Sequence, residues 1–297
     1  MALVTVMVGI AAVGPVVAEE ASATLSCDAL AGVDRLPLEP GTILFFGEMH
    51  GTAEAPALVA DVACWALRRG ASLRVGLEMP HQETAATEVY LASAGGEEDR
   101  ERLLAGPFWQ REYQDGRSSE AIADLIEELR RLKAAGQPVT VTLFDSSESA
   151  DSGQERDREM AKRLTQAARS HPSDVLLVLS GNLHARLKPG NQVDSNYKPL
   201  GYLVRQALPD RTILALDFTS AGGSAWICIS AEPKDCQAIE LRGQGDEGER
   251  RLTLFEHPDE KGFDGSYYVG AMSASPPAVP QAPAPEPPAK TTEPDQP

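Results

Sequence analysis

After Gly41 the chain alternates short apolar runs with helical patterns. The runs cover residues 42–46, 73–77, 139–144, 175–179 and 212–216. Each is too short for a helix, so each reads as a buried strand. Between the first two, residues 55–69 place Leu58, Val59, Val62 and Ala66 at helical spacing. Pro56 suits the first turn of that helix, Arg68 and Arg69 the last, and Gly70 its cap. Residues 118–135 repeat the pattern with a stripe of Ile122, Leu125, Ile126, Leu129 and Leu132, ended by Gly136. Further helices are expected over about 154–170 and 200–208, the second stopped by Pro209. Such alternation predicts one α/β domain with a mainly parallel central sheet flanked by helices.

The pattern changes after Asp217. Residues 226–229 and 238–241 read as a hairpin and 267–269 as one more short strand, giving the sheet an antiparallel C-terminal edge. From Ala274 onward Pro and Ala dominate without periodicity, as in a disordered or polyproline-like tail. Residues 1–18 are uncharged and mostly apolar, ending in Val16-Val17-Ala18 before Glu19-Glu20. They resemble a secretory signal peptide or an N-terminal anchor, although no basic residue precedes the apolar run. The expected plan is therefore a signal peptide or anchor over 1–18, an N-terminal lead over 19–40, one α/β domain over 41–273 and a tail over 274–297. The expected location is secreted or periplasmic.

Charge and cysteine content narrow the picture. The formal net charge is −17, and residues 1–18 contribute none of it. Lys and Arg are interspersed with acids, which argues against nucleic acid and an anionic membrane surface as partners. Four cysteines in an exported chain favour disulfides. Cys228 and Cys236 flank a polar turn and would staple a hairpin, leaving Cys27 to join Cys64. There is no Cys-x-x-Cys pair of the kind zinc sites use.

The candidate chemistry sits where the apolar runs stop. Gly47-Glu48-Met49-His50 and Gly181-Asn182-Leu183-His184 are two Gly-x-x-His tetrads, each following a strand-like run. Glu78, Asp145 and Asn182 stand at equivalent points, and ligands in open α/β sheets bind at this carboxyl edge. A carboxylate two residues from an imidazole can raise its pKa and fix its tautomer, as required of an acid–base group. Glu48, His50 and His184 could instead hold a divalent metal ion that activates water. No Gly-x-Ser-x-Gly elbow marks a serine nucleophile, and no glycine-rich phosphate loop follows the first strand, so no nucleotide is expected.

Four stretches in this order resemble the superfamily that links erythromycin esterase-like proteins, ChaN-like haem-uptake proteins and the TraB and Tiki membrane proteins. They are the Gly-Glu-x-His at 47–50, the acid of Leu77-Glu78-Met79-Pro80, Arg156-Asp157-Arg158-Glu159-Met160-Ala161, and the Gly-Asn-x-His at 181–184. The resemblance implies an α/β fold with Glu48, His50, Glu78 and His184 in one cleft. It implies water activation by a His of this type in the esterase-like members, metal-dependent peptide cleavage in the Tiki-like members, and haem binding in the ChaN-like ones. In the esterases two residues separate the acid from the His; here Met49 alone does, which argues against a macrolide ester as substrate.

Arg156 and Arg158 read equally as solvated helix charges or as an anion clamp reaching the cleft. The aromatic segment from Phe108 to Arg117 would form a wall or lid, with Trp109 packed in the core and Tyr113 available as a haem ligand. Three functions follow. The first is an exported hydrolase of an ester or amide bond in a small molecule or peptide, metal-assisted or metal-free, with Asn182, Asp145 and the arginines binding substrate. The second is a haem- or iron-binding uptake protein, and the third is an inactive remnant of the fold.

Overall fold

A computed structural model describes residues 25–146, 152–245 and 247–280. The expected signal or anchor segment, residues 1–18, lies outside them, as do residues 281–297. In chain order the elements are β1 (Ile43–Glu48), α1 (Glu54–Arg68), β2 (Leu73–Pro80), α2 (Thr84–Leu91), α3 (Glu97–Leu104), α4 (Pro107–Gln110), α5 (Glu120–Ala134) and β3 (Val139–Asp145). There follow α6 (Gly153–Ser170), β4 (Val175–Gly181), α7 (Asn182–Ala185), α8 (Leu200–Ala207), β5 (Ile213–Thr219), β6 (Gly222–Cys228), β7 (Cys236–Arg242), β8 (Arg251–Leu254) and β9 (Gly265–Tyr268). Seven strands form one sheet in the order β3-β2-β4-β1-β5-β9-β8, parallel except for β8.

Strand periodicity explains why the central runs are apolar throughout. Successive side chains alternate between faces, and both faces here are covered. Leu44, Phe46, Val75, Leu77, Leu177 and Leu179 belong to the core shared with α1 and α5. Ile43, Phe45, Leu176 and Val178 belong to the core shared with α6 and α8. The chain thus leaves β1 and β2 on one face and β3 and β4 on the other. β4 is inserted between β2 and β1, so the crossovers diverge there and open a crevice at the carboxyl ends.

The C-terminal part differs in detail from the sequence expectation. The hairpin expected over 226–229 and 238–241 exists as β6 and β7, but it forms a separate two-stranded sheet. Gly222 and Gly223, at φ 96° and 126°, swing the chain off the main sheet directly after β5. The antiparallel edge is instead made by β8 against β9. In β8 only Leu252 is buried, too little apolar pattern to mark a strand in sequence. Helices α2, α3 and α4 lie in the connection between β2 and β3. Residues 274–279, expected to begin the tail, pack as a strap on the domain. Ser275 N donates to Gly51 O at 2.8 Å and Ala278 N to Ser118 O at 2.9 Å. Ala278 and Val279 rest against the larger core.

Both expected disulfides are formed, Cys27–Cys64 with Cα atoms 5.7 Å apart and Cys228–Cys236 at 3.8 Å. Among the described residues no helix is long and apolar enough to cross a membrane.

Candidate active site

The two tetrads are built to fit each other. β1 and β4 pair with Gly47 opposite Ser180 and Glu48 opposite Gly181, so the turns that leave them meet. A Cβ on Gly47 would stand 3.1 Å from Asn182 Cα and from Ala185 Cβ, which shows how closely α7 seats on β1. A Cβ on Gly181 would stand 2.9 Å from His50 Nε2 and 3.6 Å from His184 Cδ2. Both imidazoles therefore converge above Gly181.

Glu78 lies between them. The β2–β3 register shifts between Leu77 and Pro80, and this irregularity occurs where Glu78 meets the crevice. Its Oε2 accepts from Gly181 N at 2.8 Å and lies 3.7 Å from His50 Nε2. Its Oε1 accepts from Arg156 Nη2 at 2.6 Å and lies 3.9 Å from His184 Nε2. Burial works against the charge of Glu78, but the His50 imidazolium and the Arg156 guanidinium hold it well below the usual carboxylate range.

The two histidines are in unlike surroundings. His50 Nδ1 is 2.8 Å from Glu48 Oε1, at the end of β1. Burial would strip its proton, but the Glu78 and Glu48 carboxylates on its two sides outweigh this and raise its pKa to about 10. His50 is therefore an imidazolium at neutral pH, with Nδ1 donating to Glu48 and Nε2 within ion-pair distance of Glu78. His184 Nε2 is 3.0 Å from Arg156 Nη1. A guanidinium can only donate, so Nε2 accepts and the ring hydrogen sits on Nδ1, 2.5 Å from Asp157 Oδ1. The other oxygen of Asp157 accepts from the Tyr197 hydroxyl at 2.5 Å.

Arginines hold the carboxylates together. Arg156 grips Asp145 side-on, Nε to Oδ1 and Nη2 to Oδ2, both at 2.9 Å. Arg117 Nη1 reaches Asp145 Oδ2 at 2.7 Å, while its Nε and Nη2 bind Asp115. Against the effect of burial, Arg117, Arg111 and His50 lower the pKa of Asp115 to about 2. A cavity of about 10 Å³ beside Glu48, Glu78 and Arg117 has room for no more than one water.

Of the residues singled out in sequence, Glu48, His50, Glu78, Asp145, Arg156 and His184 share this network. Asn182 opens α7 and stands at the edge, its side chain without a hydrogen-bond partner among the described residues. Arg158 is not part of it: it pairs with Glu155 on the exposed side of α6. Tyr113 donates its hydroxyl to Ser230 O at 3.2 Å, and Trp109 is fully buried. Four participants were not named as site residues in sequence: Tyr197, Asp157 within the 156–161 motif, and Asp115 and Arg117 within the aromatic segment. Asp157 is wholly buried although it lies between two arginines in sequence.

The donor set does not fit a metal ion. Glu48 is turned to His50, His184 Nε2 faces a guanidinium, and the lone pairs of Glu78 and Asp145 that face the site are taken by arginine and backbone N–H. Among the described residues no three His, Cys, Asp or Glu side chains are grouped as ligands. Glu48 and His50, expected with His184 as possible metal ligands, are engaged here with each other, His50 also with Glu78, and His184 with Arg156 and Asp157. The Tyr113 phenol, expected as available to a haem, is engaged with Ser230 O.

No protein-family model matches the sequence, and no curated protein matches it. Solved structures do match the fold. An erythromycin esterase mutant, EreC, in its open conformation is 12% identical with a TM-score of 0.58, covering 78% of this chain and 91% of that one. A protein from Bacillus cereus is 11% identical with a TM-score of 0.57, covering 82% and 91%. A succinoglycan biosynthesis protein is 9% identical with a TM-score of 0.56, covering 80% and 89%. At these identities the likeness is one of fold: the chain has an erythromycin esterase-like α/β architecture.

Proposed function

We propose that this chain is a hydrolase of an ester or amide bond in a small molecule or peptide, secreted or periplasmic, working through its own side chains at the carboxyl edge of the sheet. The observation that carries the reading is the inequality of the imidazoles flanking Glu78. His50 is a proton donor held between two carboxylates, and His184 is an acceptor backed by Asp157. A donor imidazole and an acceptor imidazole on either side of one carboxylate are what acid–base hydrolysis requires. Two paired disulfides support an oxidising compartment.

In this reading His184 Nε2 removes a proton from a water entering between it and Arg156. Asp157 holds the ring in the tautomer that leaves Nε2 free to accept. The hydroxide forms a bond to the carbonyl carbon, and the negative charge moves to the carbonyl oxygen, facing donors on His50 and Arg156. As the bond to the leaving oxygen or nitrogen breaks, His50 Nε2 supplies its proton. His184 then returns its proton to solvent and His50 regains one. The base is thus assigned to His184 rather than to His50, the residue suggested by resemblance to the esterases.

The test uses p-nitrophenyl acetate and a chromogenic peptide amide, with chelator present. His184→Gln and His50→Gln should each lower kcat by about a hundredfold or more. Each variant loses a contact to a buried carboxylate, so its folding is verified by circular dichroism at the assay temperature. Wild-type rates in both variants, or no hydrolysis of either probe by the wild type, would overturn the proposal.

A further inference from the structure

We infer that Tyr197 is a positioning residue for His184, acting through Asp157; the inference rests on the assignment of His184 as the base. Asp157 is buried on α6 and divides its oxygens, Oδ1 to His184 Nδ1 and Oδ2 to the Tyr197 hydroxyl, both at 2.5 Å. A carboxylate held by one oxygen turns easily about its terminal torsion, because that torsion is broad. A second bond to the other oxygen fixes the plane, and with it the lone pair that fixes the imidazole tautomer. Without the hydroxyl, Oδ2 would be a buried acceptor lacking its partner, and the group would rotate to recover one.

The phenol is suited to that role alone. Burial and the Asp157 charge push its pKa above the ordinary phenol value, so it stays protonated and donates. Among the described residues its hydroxyl has one further hydrogen-bond neighbour, Gly153 O at 3.4 Å, in the first turn of α6. Tyr197 comes from the connection between α7 and α8, and that connection is clamped to the same turn. Gln154 Nε2 donates to Lys198 O at 3.0 Å, and Lys198 N donates to Gln154 Oε1 at 2.8 Å. Gly190 N closes the loop on Tyr197 O at 2.7 Å. The start of α6 therefore supplies Arg156 and Asp157, both touching His184, and also anchors the loop that holds Asp157 in place.

The test is a tautomer measurement on full-length protein with 15N-labelled histidine, using long-range proton–nitrogen spectra. The wild type should show His184 with its hydrogen on Nδ1 only. In Tyr197→Phe the second tautomer should appear, and kcat on p-nitrophenyl acetate should fall about tenfold with KM unchanged, as expected of a misaligned base. Asp157→Asn, which removes the carboxylate itself, serves as the reference for full loss of the lock. A Tyr197→Phe spectrum and kcat identical to wild type would overturn the positioning role while leaving His184 as the base. A wild-type His184 without hydrogen on Nδ1 would overturn the base assignment, and this inference with it.

Discussion

Gly181 has ordinary backbone angles, φ −51° and ψ 143°, so its missing side chain answers a need for space and not for conformation. A Cβ there would collide only with the end of the His50 ring, which can move. Gly181→Ala should therefore keep stability within about 1 kcal/mol of wild type. It should still displace His50 enough to lower kcat about tenfold to a hundredfold. Melting and ester hydrolysis measured side by side decide the matter; an unchanged kcat would show that His50 is not seated by this glycine. In sequence the tetrad glycines signal sharp exits from strands, and their positions at the rim are legible for that reason. Their mutual fit is not, because it depends on β4 being inserted beside β1. The arginines show the same limit. Arg156 and Arg158 are two apart on a helix and cannot face the same way, but composition does not say which turns inward. A signal exists: stepping back four residues from Met160 and Ala161, which are buried on α6, reaches Arg156 and Asp157. Charges that continue an apolar stripe are the ones a site recruits.

At the scale of elements, the five expected strands are present, and each of β1 to β4 runs past its apolar stretch to a polar or glycine residue at the rim. That overrun is why Glu48, Glu78 and Asp145 could be found from sequence. α3 could not, since its eight residues bury only Leu103 and carry no stripe. The aromatic 108–117 segment was legible as a wall, but its part in the site is polar, through Asp115 and Arg117. That segment, the His50 turn and the β6–β7 hairpin meet at Gly51. Trp226 N donates to Gly51 O at 2.9 Å, and Trp226 Nε1 donates to Gln114 O at 2.9 Å. A Cβ on Gly116 would lie 2.5 Å from Gly51 N. The hairpin staple should therefore matter to catalysis as well as to stability. Replacing Cys228 and Cys236 together by Ser should cost about 2–3 kcal/mol and also lower kcat well below the melting temperature. Replacing Cys27 and Cys64 removes a bridge spanning 37 residues on the far half of α1. It should cost at least as much stability with kcat unchanged. Equal kcat in the two double variants would contradict the coupling.

For the molecule as a whole, the net charge of −17 and the buried site charges make stability depend on pH from both sides. On the acid side, Glu78 is held well below its ordinary value and Asp115 is lowered to about 2. Both stabilise the fold above the ordinary carboxylate range, and that contribution disappears as pH falls towards 2. On the alkaline side the sign reverses. His50 is raised from 6.5 to about 10, so folding favours its protonated form. Its contribution is complete below about 6.5 and is lost as pH rises through about 10, leaving Glu48 and Glu78 facing each other without it. Self-repulsion of an acidic protein also weakens the fold at high pH, but it is common to any variant at the same charge and is screened by salt. His50→Gln separates the two effects, because glutamine keeps polar contacts and cannot carry the proton. Melting curves at fixed ionic strength should show the wild type ahead of His50→Gln near pH 6, with the gap closing as pH approaches 10. A gap that stays constant across that interval would mean that His50 holds no extra proton in the folded protein, and the division of labour between the two histidines would fail with it.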